Sequence, residues 1–67
     1  MAKIQLNGKK ISIKSKTTIY DLLKRFKLSN KKVAIEHNGI IVQRLSYKKK
    51  YLKNNDKLEV VHFIGGG

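Results

Sequence analysis

The sequence predicts an α+β domain: one small sheet crossed on one face by a single helix. Three observations carry that expectation. Short alternating apolar runs flank two Asn-Gly dipeptides, Asn7-Gly8 and Asn38-Gly39. One stretch, "TTIYDLLKRFKL", switches from a period of two to a helical period. A closing apolar run, "KLEVVHFI", leads directly into three glycines.

The opening "AKIQL" places Ile4 and Leu6 on one face of a half-buried strand, and "KKISIK" returns with Ile11 and Ile13 inward. The Asn-Gly between them is the strongest short hairpin signal, because a type I′ turn needs positive φ at both central residues. Next, Ile19, Leu22, Leu23 and Phe26 fall at i, i+3, i+4 and i+7. That is the apolar stripe of an amphipathic helix about ten residues long. Thr18 followed by Asp21 resembles a capping box with aspartate in the usual glutamate position. Lys24, Arg25 and Lys27 gather in the last turn, where cations suit the helix dipole.

The segment "KVAIEHNGIIVQR" repeats the opening logic. Val33 and Ile35 alternate with Ala34 and Glu36, and the second Asn-Gly turns the chain into "IIV". In "LSYKKKYL", Leu45, Tyr47 and Leu52 are the expected anchors of a loop or short helical turn. "KNND" reads as a polar turn. In the last strand the alternation puts Leu58 and Val60 toward the helix, and Glu59, Val61 and Phe63 on the open face.

With 67 residues and no cysteine, neither a disulfide nor a thiolate metal site helps hold the fold. A domain of this size buries only about 60% of the surface its unfolded chain exposes, so it must rest on one apolar cluster. No apolar run approaches the roughly 20 residues that cross a bilayer, and "MAKIQLNG" lacks the apolar core of a secretion signal. The expectation is a soluble intracellular protein with no membrane partner, cytoplasmic or, if organelle-encoded, in the plastid stroma.

Charge is the strongest global feature: 16 Lys plus Arg against 4 Asp plus Glu, a net +12. It raises a small basic nucleic-acid-binding module as a reading. Of the 16 basic residues 14 are lysine, a point charge, and only Arg25 and Arg44 offer the planar fork that recurs at phosphates and base edges. Lysine filling solvent-facing positions accounts for the excess, and nucleic-acid binding is expected to be weak and non-specific.

Familiar catalytic arrangements are missing. His37 and His62 read as separate sheet-surface residues, without the three or four ligands zinc takes, so no metal site is expected. Asp21 serves a helix start, Asp56 a turn, and Glu36 and Glu59 strand faces; none forms an acid–base pair. No nucleophile elbow, P-loop or dinucleotide fingerprint occurs. The chain is therefore not expected to be an enzyme. What remains is the carboxylate of Gly67, ionised at neutral pH with an ordinary pKa of about 3.3–3.7. Extended, Gly65, Gly66 and Gly67 give it roughly 10 Å of thin reach, free of side chains.

The strand order, the segment "VAIEHNGIIVQR" and the close "VVHFIGGG" resemble the ubiquitin-like sulfur carriers, and most closely the thiamine-biosynthesis (ThiS-type) carriers. The resemblance covers essentially the whole chain. It implies a β-grasp fold with a small mixed sheet over residues 1–64 and a flexible glycine tail, 65–67. It further implies that an adenylating, E1-like partner uses ATP to activate the carboxylate of Gly67. A persulfide made by a cysteine desulfurase or another sulfur donor then converts it to a thiocarboxylate, and thiazole synthase accepts the sulfur. The chain would hold no permanent cofactor; ATP and the sulfur source belong to the partner. Gly67 would carry the sulfur, Gly66 completes the diglycine, and Gly65 with Val61 and Phe63 belongs to the docking region. Arg44 matches an arginine common after the "IIV" strand. The third glycine and the +12 charge depart from the usual pattern. Related readings are a carrier for molybdopterin or tRNA thiolation, and a ubiquitin-like protein modifier.

Overall fold

Both Asn-Gly dipeptides adopt the backbone that a type I′ turn requires. Asn7 and Gly8 have φ of 50° and 83°, and Asn38 and Gly39 have 52° and 87°. In this computed structural model, which describes residues 1–28 and 33–62, they join two antiparallel hairpins. The first pairs β1 (Ala2–Leu6) with β2 (Lys9–Ile13), and the second pairs β3 (Val33–His37) with β4 (Ile40–Val42). Between them lies α1 (Ile19–Arg25). The last strand, β5 (Lys57–His62), enters between the hairpins and gives the order β2-β1-β5-β3-β4. It runs parallel to β1 and antiparallel to β3, so the sheet is mixed. The architecture is the expected β-grasp.

Helix α1 is fixed at its start by side chain and loop together. Thr18 Oγ1 accepts from the Asp21 N–H at 3.0 Å, and Asp21 Oδ2 accepts from the Thr18 N–H at 3.1 Å, a reciprocal capping box. The N–H groups of Ile19 and Tyr20, which have no intrahelical partner, donate to the carbonyls of Lys50 and Tyr47 at 3.0 and 3.1 Å. The segment after β4, which includes a 3₁₀ turn at Arg44–Ser46, is thereby bound to the helix start.

The helix is seven residues long, shorter than its stripe suggests, and the reason lies at its C-terminus. Lys27 takes a left-handed backbone with φ of 56°. The Leu28 N–H donates to the Leu23 carbonyl at 2.8 Å, and the Lys27 N–H to the Lys24 carbonyl at 3.0 Å. That is a Schellman cap with lysine where glycine is usual. Phe26 becomes the cap residue, 41% exposed, with the Arg25 guanidinium 5.3 Å from its ring centre, and is not the core residue its spacing suggests. Leu28, the residue that follows the cap, packs against the core instead.

The core lies between α1 and one face of the sheet. It takes Ile4, Ile13, Val33, Ile35, Val42, Leu58 and Val60 from the strands and Ile19, Leu22 and Leu23 from the helix. Tyr47 and Leu52 close its edge, as expected of anchors, but Leu45 does not: it is 87% exposed. A single 3₁₀ turn has one inward side, and Val42 before it and Tyr47 after it fill that side. Burial pushes the Tyr47 hydroxyl pKa above its ordinary value, opposed only in part by Arg44 and the Ile35 backbone.

Two substitutions test this packing by chemical denaturation. Leu58→Ala is expected to lose about 2–5 kcal/mol, the usual result of emptying a closed core position. Lys27→Gly is expected to gain about 1 kcal/mol by relieving the left-handed backbone; a loss would contradict the cap described.

Candidate functional site

Strand β5 is the last described element before the glycines in the sequence. The first four residues of the strand are held by the asparagines of the two turns. The Asn7 N–H donates to the Leu58 carbonyl at 2.9 Å, Val60 N–H donates to Asn7 Oδ1 at 2.7 Å, and Asn7 Nδ2 donates to the Val60 carbonyl at 3.3 Å. The side-chain amide thus continues the pairing of β1 after its backbone has turned away. At the start of β5, on its β3 side, the Asn38 N–H donates to the Lys57 carbonyl and Lys57 N–H donates to Asn38 Oδ1, both at 2.8 Å.

Asp56, immediately before β5, is a buried hub rather than only a turn residue. Its Oδ2 accepts from the Lys53 N–H at 2.8 Å and lies 2.8 Å from His37 Nε2, while its Oδ1 accepts from Asn38 Nδ2 at 3.0 Å. With the carboxylate as acceptor, Nε2 carries the hydrogen. Burial alone raises the Asp56 pKa, but the bonds from Lys53, His37 and Asn38 outweigh it and hold the carboxyl below its ordinary value. His37 is therefore largely buried at the end of β3, not the surface residue its sequence suggests. No sequence signal marks this pair, because its members meet only when β3 lies beside β5. Its partners are backbone and turn groups, so the cluster holds structure in place and activates no nucleophile.

The open face of the sheet carries the other feature. Leu58 and Val60 are buried beneath α1, while Val61, opposite Ala34 on β3, is 57% exposed on the other side. Alternation along the strand places Val61 as expected. Phe63, Gly65, Gly66 and Gly67, and the side chain of His62, lie outside the described residues. A solvent-open hollow of about 460 Å³ lies beside β4 and is lined in part by His37, Ile40 and Ser46. Among the described residues no three His, Cys, Asp or Glu side chains are grouped as metal ligands. No helix among them is long and apolar enough to cross a membrane.

Comparison with known proteins agrees with this arrangement. The model of the ThiS family matches residues 3–67, a span that runs through the last glycine. The chain belongs to the ThiS family. It is 45% identical over 65 residues to the sulfur carrier protein ThiS of Bacillus subtilis, covering 96% of this chain and 98% of that one. A second relative, the thiazole synthase of Magnetococcus marinus, is 43% identical over 65 residues, which is 97% of this chain but 20% of that protein. Among solved structures, the crystal structure of the thiamine biosynthesis protein ThiS of Geobacter metallireducens superposes with a TM-score of 0.82 at 26% identity. The match covers 97% of this chain and 99% of the other.

The hub has a pH signature. Because the folded-state pKa of Asp56 is depressed, its contribution to stability is complete above the unfolded carboxyl value and is lost as pH falls through the folded one. Asp56→Asn is expected to cost about 1–3 kcal/mol at neutral pH. The wild type should lose part of that margin below about pH 4, and the variant should not; parallel stability–pH curves would rule the hub out.

Proposed function

We propose that this chain is a sulfur carrier of thiamine biosynthesis and that its working group is the carboxylate of Gly67. The observation that carries the reading is the family match through residue 67, together with 45% identity to a curated sulfur carrier over nearly the full length of both. The carboxylate attacks the α-phosphate of ATP held by an adenylating partner, forming an acyl-adenylate and releasing pyrophosphate. A persulfide sulfur then displaces AMP, and a second thiol cleaves the resulting acyl disulfide to leave a thiocarboxylate. Both thiols must come from partners, because the chain contains no cysteine. Thiazole synthase receives the sulfur; a segment similar to this chain within a thiazole synthase supports that pairing. The chain binds no permanent cofactor of its own in this scheme, and it works in the compartment where the thiazole is made, cytoplasm or plastid stroma.

The physical requirements are modest and the fold supports them. The activated group must be small and held away from the body of the domain. The five residues after His62 span at most about 18 Å when extended, enough to enter a partner's site while β5 stays in the sheet. Val61, exposed beside that exit, and Phe63 form an apolar anchor that aims the tail.

Intact mass after incubation with the adenylating enzyme, ATP and a sulfur donor tests the reading. The expected product has one oxygen of the Gly67 carboxylate replaced by sulfur. Deleting Gly67, or adding a residue after it, should abolish the shift with the fold intact; a shift that survives loss of Gly66 and Gly67 would refute the assignment. Phe63→Ala and Val61→Ala should each weaken binding to the adenylating enzyme by about 1–3 kcal/mol while leaving the melting temperature nearly unchanged.

A further inference from the structure

The carboxamides of the two turns face different chemistry. At Asn38, Oδ1 accepts from the Lys57 N–H at 2.8 Å and Nδ2 donates to Asp56 Oδ1 at 3.0 Å. The other oxygen of Asp56 is already taken by the Lys53 N–H and by His37 Nε2, both at 2.8 Å. Asn7 is also bonded at both ends, with Oδ1 accepting from the Val60 N–H at 2.7 Å and Nδ2 reaching the Val60 carbonyl at 3.3 Å. Its partners are uncharged backbone groups. Lys49, Lys50 and Lys53 line a hollow with Asn38 and Asp56, yet the one ion pair among the described residues is His37–Asp56.

Each asparagine precedes a glycine, whose nitrogen no side chain shields. In an open chain that nitrogen can attack the asparagine Cγ. A C–N bond forms, the side-chain nitrogen leaves as ammonia with the proton from the glycine N–H, and a succinimide ring remains. Water then opens the ring at either carbonyl to give aspartate or isoaspartate. One water is consumed, one ammonia is released, and nothing is oxidised or reduced. The closed fold blocks this step at Asn38 in two ways. The φ values of 52° and 87° at Asn38 and Gly39 belong to a type I′ turn, whose first ψ of about +30° turns the next nitrogen away from the side chain. The carboxamide is also held at both of its ends.

We propose that Asn38 is a deamidation site, shielded while β5 lies in the sheet and open when it does not, whose conversion bars the chain from closing again. The product carries an oxygen where Nδ2 now donates, 3.0 Å from Asp56 Oδ1. Two carboxylates at that distance do not both ionise freely, and the donor that satisfied Asp56 is gone. His37 cannot take its place, being engaged at the other oxygen. The isoaspartate product adds a methylene to the backbone of a two-residue turn and breaks its geometry. At Asn7 a carboxylate would keep the Val60 N–H and give up only the longer contact. Both sites therefore record time spent open, but conversion at Asn38 alone removes the molecule from the folded pool. This goes beyond the carrier reading and does not depend on it.

The full chain, incubated at mildly alkaline pH in buffer and in urea, tests the site by peptide mass mapping of the exchange of NH2 for OH. Both asparagines should convert at similar rates in urea and at least about tenfold more slowly in buffer. After removal of urea, chains modified at Asn7 should appear in the protease-resistant folded fraction and chains modified at Asn38 should not. Equal conversion of Asn38 in buffer and urea, or its modified chains in the folded fraction, overturns the proposal. Asn38→Asp is expected to melt about 5–15 °C below wild type at neutral pH, with the gap narrowing in acid as one carboxyl of the pair takes up a proton. Asn7→Asp should melt lower by a smaller interval. Asn38→Asp/Asp56→Asn sets a carboxamide NH2 against the new carboxylate and leaves its oxygen to Lys53 and His37. It should melt above Asn38→Asp, and it gives a reading even where the single variant does not fold. A double variant no more stable than Asn38→Asp, or a single variant that melts as wild type does, would refute the carboxylate clash.

Discussion

Two asparagine side chains hold β5 where backbone pairing gives out. A type I′ turn bends away from the strand it ends, so the neighbour of that strand is left with unsatisfied amide groups. Asn7 and Asn38 fill that gap, one on the β1 side and one on the β3 side of the first part of β5, with the same carboxamide geometry that a peptide group would offer. Because β5 is the middle strand of five, its position fixes the spacing of the two hairpins and the floor on which α1 rests. The residues that permit the tight turns through their tolerance of positive φ therefore also align the strand that leads to the terminus.

Much of this was legible in the sequence, and the boundary of what was legible has a physical cause. The hairpins, the capping box and the facing of Leu58, Val60 and Val61 depend on neighbours only a few residues away, and alternation or turn chemistry reports them directly. Phe26 misleads because the helix ends through the left-handed backbone of Lys27, which no glycine announces. Leu45 misleads because a single 3₁₀ turn offers too few positions for a pattern. The His37–Asp56 hub depends on which strands become neighbours and in what register, and spacing along the chain carries neither. Of the candidate site, Gly67 stood out because no other group in the chain matched a reactive arrangement.

The distribution of chemistry in this ThiS-family chain follows the same economy. Polar groups with defined partners among the described residues, such as Thr18 and Asp21 at the helix, His37 and Asp56 at the hub and Asn7 and Asn38 at the turns, are committed to shape. A carrier needs one activatable group and a body that partners recognise, and side chains reactive toward sulfur or phosphate would compete with the terminus. Lysines occur on β1, β2, α1 and β5 and, for the larger share, in the segments between them, so the excess raises encounter rates with acidic surfaces without selecting among them.

The parallel pairing of β1 with β5 joins Gln5 to Lys57 and Leu6 to Leu58, nearly the full span of the described chain. During synthesis the first hairpin and the helix emerge early, but the centre of the sheet stays empty until the last strand has left the ribosome. Folding is then dominated by distant contacts, which slows it relative to a helical bundle of equal length. A fragment that stops before β5 lacks its sheet centre and exposes the apolar floor under α1. The topology thus acts as a length check: the sheet closes only on molecules translated through β5.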